Sequence, residues 1–277
     1  MLHDLICELE SDHSLEQPER LRERVDAMER LEDVLAHAQE ADGTPLLRRA
    51  RTLHEKLADV QHRLCEAIRQ AIVLGGGRQA LDGWATPCAR PAPLGYDHLD
   101  ALVSEVLCFD EPGATGSPAT DMVFYQPTPA RHVFDLLDRA RLGREDILVD
   151  LGSGLGHVPM LTTIHCGARA IGVEYEDAYV RSARHSARAL KLDRVDFLAQ
   201  DAREADLSAG TLFYLYTPFG GGMLRDMLAR LQQESRRRPI RIATLGPCTA
   251  TVAGEPWLRA QGPVEADRIS LFRACSS

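Results

Sequence analysis

Residues 150–219 carry an ordered set of side chains whose types and spacing suit the capture of a small charged ligand. The first is Asp150-Leu151-Gly152-Ser153-Gly154-Leu155-Gly156, which follows the apolar run Ile147-Leu148-Val149 and opens a helical pattern. Glycines at such a junction let the main chain turn tightly and approach a ligand without a Cβ in the way. The free N–H groups of the helix beyond suit a carboxylate or a phosphate. The next apolar run, Ala170-Ile171-Gly172-Val173, ends on Glu174. A carboxylate there can accept both hydroxyls of a ribose, and packing alone gives no reason for an acid at the end of an apolar strand. A dinucleotide fingerprint reads G-x-G-x-x-G; in this chain the third glycine comes one residue earlier. Asp150, two residues before the first glycine, would crowd a diphosphate, whereas it suits a ligand bearing an ammonium group.

The elements that must position these residues alternate. Thr128 and Pro129 form an N-cap and N1 pair, opening a helix that carries Val133, Phe134, Leu136, Leu137 and Ala140. Apolar β-like runs follow at 147–149, 170–173, 195–198, 212–215 and 240–243, with helical segments between them, as at 178–190 and 222–233. Strands alternating with helices imply a parallel sheet covered on both faces. Near the C-terminus, 257–260 and 269–273 flank Gly262-Pro263 without a helix between them, the pattern of a closing antiparallel pair.

The N-terminal part is different. Leu21, Val25, Met28, Leu31, Val34, Leu35 and Ala38 recur at helical spacing, as do Leu46, Ala50, Leu53, Leu57, Val60, Leu64, Ala67, Ile68 and Ala71. The break at Ala41–Pro45 makes these two helices an antiparallel hairpin, stopped at Gly75-Gly76-Gly77. Such a hairpin suits packing or a homodimer contact, with a role in gripping substrate as the alternative. Residues 78–124 read as a wrapping linker rich in Pro and Gly, with a short helix at 97–107 and a loop at 110–118. The division is therefore 1–122, helical hairpin and linker, and 123–277, the ligand-binding domain.

Composition bounds the function. Of 277 residues, 44% are hydrophobic, enough for a sizeable core, and the formal net charge is −9, which argues against a broad nucleic-acid surface. No stretch approaches the roughly 20 apolar residues that span a bilayer. The acidic Met1–His13 lacks the basic start of a signal peptide, so a cytoplasmic protein is expected. Seven separated cysteines with no CxxC pair read as buried thiols, with no metal or disulfide role.

With these residues in order, residues 123–275 resemble the class I S-adenosylmethionine-dependent methyltransferases. The resemblance implies a Rossmann-like α/β fold with a seven-stranded, mostly parallel sheet, an antiparallel last strand and an N-terminal α-helical extension. It implies S-adenosyl-L-methionine as cofactor. Asp150, Gly152 and Gly154 would serve its methionyl end and Glu174 its ribose, while Asp201 and Ala202 would serve its adenine. An Asx turn is the alternative role for Asp201. Tyr216-Thr217-Pro218-Phe219 occupies the place beside the transferable methyl, making Tyr216, Thr217 and Phe219 the candidate catalytic residues. Val123-Phe124-Tyr125-Gln126-Pro127-Thr128-Pro129 resembles a segment of non-SET protein-lysine methyltransferases, which puts Tyr125 and Thr128 in the cofactor pocket. The chain departs from the Asn/Asp-Pro-Pro-Tyr/Phe pattern of amino-adenine and amide methylation, and from the Asn of the histone-lysine enzymes. Aromatic Tyr216 and Phe219 suit an amine by cation–π contact, so a protein lysine or other amine is the expected acceptor. The alternatives are a catalytically weak cofactor-binding module acting through partner docking, and a nicotinamide-dependent oxidoreductase. His157 is expected at a solvent-facing helix start, with reach into the active site as the alternative, Arg236-Arg237-Arg238 as a solvated run, and Gly220-Gly221-Gly222 as a turn or closing loop.

Overall fold

The computed structural model describes residues 2–37, 45–84, 95–110, 126–217 and 219–275. The expected turn at 41–44, the Pro-rich linker at 87–93, the loop at 111–118, Val123–Tyr125 and Pro218 lie outside them. The chain divides into two compact units, Met1–Gln70 with Asp97–Val106, and Ala71–Tyr96 with Leu107–Ser277.

The first unit is helical: α1 (Leu2–Ser11), α2 (Leu21–His37), α3 (Pro45–Val73, its last turn counted with the second unit) and α4 (His98–Leu107, with Leu107 in the second unit). The two periodic runs of the sequence become α2 and α3. They run antiparallel, since Arg24 bonds Gln61 while the more C-terminal Glu32 bonds the more N-terminal His54. Helix α1, which the sequence reading did not anticipate, adds Ile6 and Leu9 to a core with Leu15, Ala27, Leu31, Ala50, Leu53 and Leu57. The Arg24 side chain is fully buried there. Its guanidinium donates to the carbonyls of Leu15 (3.0 Å) and Gln17 (2.8 Å) and to Gln61 Oε1 (3.1 Å). Burial draws its pKa down, and neutral oxygens rather than a carboxylate hold the cation.

The second unit holds α5 (Ala130–Ala140), β1 (Ile147–Leu151), α6 (His157–Cys166), β2 (Arg169–Glu174), α7 (Asp177–Ala189), β3 (Val195–Ala199), β4 (Leu212–Tyr216), α8 (Gly221–Ser235), β5 (Arg241–Leu245), α9 (Cys248–Ala253), β6 (Leu258–Ala260) and β7 (Ser270–Ala274). The sheet order is β3-β2-β1-β4-β5-β7-β6. Strands β1 to β5 are parallel, β7 runs antiparallel to β5, and β6 pairs antiparallel with β7. This is the Rossmann-like methyltransferase sheet expected from the sequence. The buried face of α5 is Val133, Phe134, Leu136, Leu137 and Ala140 with Ala130 and His132. On one face of the sheet, Val149, Leu151, Phe213, Leu215, Ile242 and Phe272 pack with Leu224, Met227, Leu228 and Leu231 of α8.

Several local expectations are corrected. Pro129, not Thr128, is the N-cap of α5, and no side chain caps it; the Thr128 hydroxyl is engaged elsewhere. Gly221 and Gly222 begin α8. Arg238 is not simply solvated: its guanidinium donates to the carbonyls of Leu207, Ser208 and Gly210, and Arg237 pairs with Glu234. Of the described cysteines only Cys65 and Cys248 are buried, while Cys108 and Cys275 are exposed.

Nine of the ten residues of α6 are buried, so this helix must lie close on the sheet, and Gly156 makes that approach possible. Its φ is +86°, and a Cβ there would stand 2.5 Å from Phe197 Cζ of β3. Gly156→Ala is therefore expected to cost about 2–3 kcal/mol, through left-handed strain and overlap with the Phe197 ring. A urea unfolding midpoint compared with wild type checks it.

Candidate active site

The site forms at the C-terminal ends of β1, β2 and β4, where ligands bind in open α/β sheets. The glycine loop is anchored first: Gly152 N and Ser153 N both donate to Val173 O, at 2.8 and 3.1 Å. Glu174 then secures the loop from the end of β2. One carboxylate oxygen accepts from Gly154 N and the other from Glu176 N, each at 2.8 Å. Burial raises its pKa, and the amide hydrogen bonds oppose the rise. A carboxylate has about four lone-pair sites, so two amides leave acceptor capacity for ligand hydroxyls.

Asp150 is 4% exposed. Burial, and after it the charge of Glu174, push its carboxyl well above the usual range. Around it lies a narrow polar cleft lined by Gln126, Pro127, Thr128, Gly152, Ser153, His157, Tyr214 and Tyr216. Its enclosed volume of about 30 Å3 suits a small polar group rather than a whole nucleoside. The Ser153 hydroxyl is buried there without a hydrogen-bond partner. An acid seeking a cation, an unsatisfied hydroxyl and a glycine loop form a donor set that fits the amino-acid end of S-adenosylmethionine.

The cleft thus brings together Thr128, Asp150, Gly152 and Tyr216, with Gly154 and Glu174 adjoining through the loop. Tyr216 is half-buried, and its phenol pKa is raised by burial. The other sequence candidates stand apart. Asp201 accepts from Arg203 N at 2.8 Å, the Asx-turn arrangement, and pairs with the Arg203 guanidinium at 2.6 Å, which lowers its pKa. Ala202 is buried in the core under α8, and so is Phe219, at 3% exposure. The Thr217 hydroxyl links the ends of β4 and β5, donating to Leu245 O and accepting from Cys248 N, both at 3.2 Å. These bonds hold a β-branched residue at φ +40°, a strained conformation that costs of order 1–3 kcal/mol. Tyr125 lies outside the described residues.

Two cleft residues, Ser153 and Tyr214, escaped the sequence reading, and His157 lies in the cleft as its alternative placement has it. Ser153 was passed over within its glycine motif. Tyr214 faces Asp150 in the β1–β4 register, and it was legible from strand period: it stands two residues before Tyr216 and so shares its face. His157, expected near solvent, is 9% exposed, with its ring centroid 4.5 Å from that of Phe109.

A family model described as "Histone methylation protein DOT1" matches residues 118–213. Solved structures of similar form include an RNA methyltransferase from Salinibacter ruber in complex with S-adenosyl-L-homocysteine. That structure is 26% identical, with TM-score 0.44, covering 54% of this chain and 92% of that one. The putative methyltransferase yhhF from Escherichia coli is 13% identical, with TM-score 0.45, covering 56% and 92%. The precorrin-6y C5,15-methyltransferase from Geobacter metallireducens is 16% identical, with TM-score 0.42, covering 58% and 94%. No curated protein sequence matches. The strand order with its antiparallel β7 is that of the Rossmann-like methyltransferase sheet, and the family-model match falls on the part of it that carries the glycine loop. An all-parallel dehydrogenase sheet is not what the chain forms.

Burial pushes the His157 imidazole down from 6.5 to about 4. Between those values the unfolded chain takes up the proton and the folded chain does not. The stability involved is whole above the unfolded pKa and falls as pH drops toward the folded one, by about 3 kcal/mol at most. Urea unfolding from about pH 7 to about pH 4 should show wild type losing this stability relative to His157→Phe, which cannot titrate.

Proposed function

We propose that the chain methylates a primary amine, foremost a protein lysine, with residues 123–277 as the cofactor-binding domain. The observation that carries the reading is the cleft at the ends of β1 and β4, lined by Asp150 and Tyr216, whose β1 side falls within residues 118–213, the stretch that matches a histone-methylation family model. S-adenosylmethionine, when bound, supplies a methyl group already activated on a sulfonium centre. Asp150 holds the ammonium of its amino-acid end, Gly152 and Gly154 bring main chain against it, Glu174 takes the ribose hydroxyls and Asp201 with Ala202 borders the adenine.

The chain's part in the chemistry is alignment and exclusion of water. The stretch Tyr216–Phe219 contains no carboxylate, so an amine that arrives protonated gives its proton to solvent after Tyr216 has drawn it in. The aromatic face of Tyr216 then orients the neutral amine, having attracted its ammonium form by cation–π contact. Tyr216 keeps its own proton, since burial raises its pKa. Thr217 and the buried Phe219 hold the strand end in place beneath it.

The test is transfer of labelled methyl from S-adenosylmethionine to core histones, lysine-rich peptides and total RNA. Label recovered as methyl-lysine after protein hydrolysis is expected. Label confined to RNA overturns the amine reading, and label in none of them, with cofactor bound, favours a docking module.

Asp150 adds a pH signature. In the free protein burial favours its protonated form, whereas an ammonium partner requires the carboxylate. Binding of S-adenosylhomocysteine should therefore release a proton. Its affinity should weaken as pH falls, by up to about tenfold per unit below the raised pKa. Calorimetry in buffers of different ionisation enthalpy reads the proton directly, and Asp150→Asn should abolish the release.

A further inference from the structure

Thr128 and Tyr214 lie 86 residues apart in sequence, yet their hydroxyl oxygens are 2.9 Å apart in the buried wall of the cleft. Neither group is spare. Tyr214 is 1% exposed and Thr128 7%. The pair leaves α5 without a side-chain cap, although Thr128 stands one residue before the cap position. The neighbouring main chain is held from another side as well, because Tyr96 Oη donates to Pro127 O at 3.0 Å. Two tyrosine hydroxyls thus fix consecutive residues of the segment that borders Asp150.

Proton counting shows what this pair can do. Two hydroxyls carry two protons, and the bond between them uses one. Whichever oxygen donates, the other keeps an O–H proton in need of an acceptor. The phenol does not lose its proton at ordinary pH, since burial raises its pKa well above the usual range. A buried donor left unsatisfied costs about 1–3 kcal/mol, so the cleft is set to reward an acceptor.

Resting on the reading of this cleft as the amino-acid end of the cofactor site, we propose that Tyr214 and Thr128 act as one donor pair. The pair positions the Gln126–Pro129 segment and gives its spare proton to the ligand's carboxylate, while Asp150 takes the ammonium. The two ends of the amino acid are then read by different strands, the cation by β1 and the anion by β4 through Tyr214. Tyr214 is a positioning and specificity residue whose ring fills the wall and whose hydroxyl carries the discrimination.

The experiment measures calorimetric affinity of the full chain for S-adenosylmethionine and for its decarboxylated analogue, which keeps the ammonium and lacks only the carboxylate. Tyr214→Phe and Thr128→Val are each expected to weaken S-adenosylmethionine about tenfold, with the analogue changed less than about twofold. Thr128→Ser, which keeps the hydroxyl, should bind like wild type, and the double variant should be no weaker than the worse single one. Equal loss on both ligands would mean a merely structural role and overturn the proposal, as would unchanged binding of S-adenosylmethionine by Tyr214→Phe. Wild type that binds neither ligand would instead sink the cofactor assignment of the cleft, and the proposal with it.

Discussion

The carboxylate of Glu174 is the contact on which the site is built. It sits at the end of β2, where a parallel sheet leaves main-chain groups without strand partners, and it supplies acceptors to Gly154 and Glu176 at 2.8 Å. The glycine loop can then adopt its left-handed turns without leaving a buried amide unsatisfied, a fault that would cost about 1–3 kcal/mol. The same carboxylate keeps lone pairs directed away from those amides. The glycine loop and the chain after β2 are thus held by one side chain.

Electrostatics follow from that choice. Glu174 and Asp150 are two buried acids close enough for the charge of one to raise the pKa of the other. Two acids in a dry setting favour a ligand that brings positive charge, such as an ammonium or a sulfonium. The overall charge of −9 says little about this; the local pair says a great deal. Asp201 has its charge already met by Arg203 and does not line the cleft.

The strands and the long helices were legible in the sequence because apolar period and glycine breaks are local signals. Glu174 was legible because an acid ending an apolar strand conflicts with packing. What escaped was decided by contacts distant in sequence. Thr128 reads as a helix cap by its neighbours, yet Tyr214 claims its hydroxyl. Phe219 reads as a pocket aromatic by its place after β4, yet the core under α8 takes it. His157 follows a turn and reads as exposed, but the close seating of α6, allowed by Gly156 and Phe197, buries it. In each case the local pattern was right about the element and silent about which partner would win the side chain.

The buried Arg24 of the helical unit has a practical meaning for anyone dissecting this chain. Two of its three acceptors are carbonyls at Leu15 and Gln17, outside the α2–α3 pair, and the third is Gln61 of α3. A truncation that begins at Leu21, the natural-looking start of the hairpin, removes both carbonyls and leaves the guanidinium with Gln61 alone of its three acceptors. Such a fragment would seek water or another molecule to satisfy that charge, so its solubility and self-association would report on the cut rather than on the native unit. Expression boundaries for the helical part therefore belong before α1.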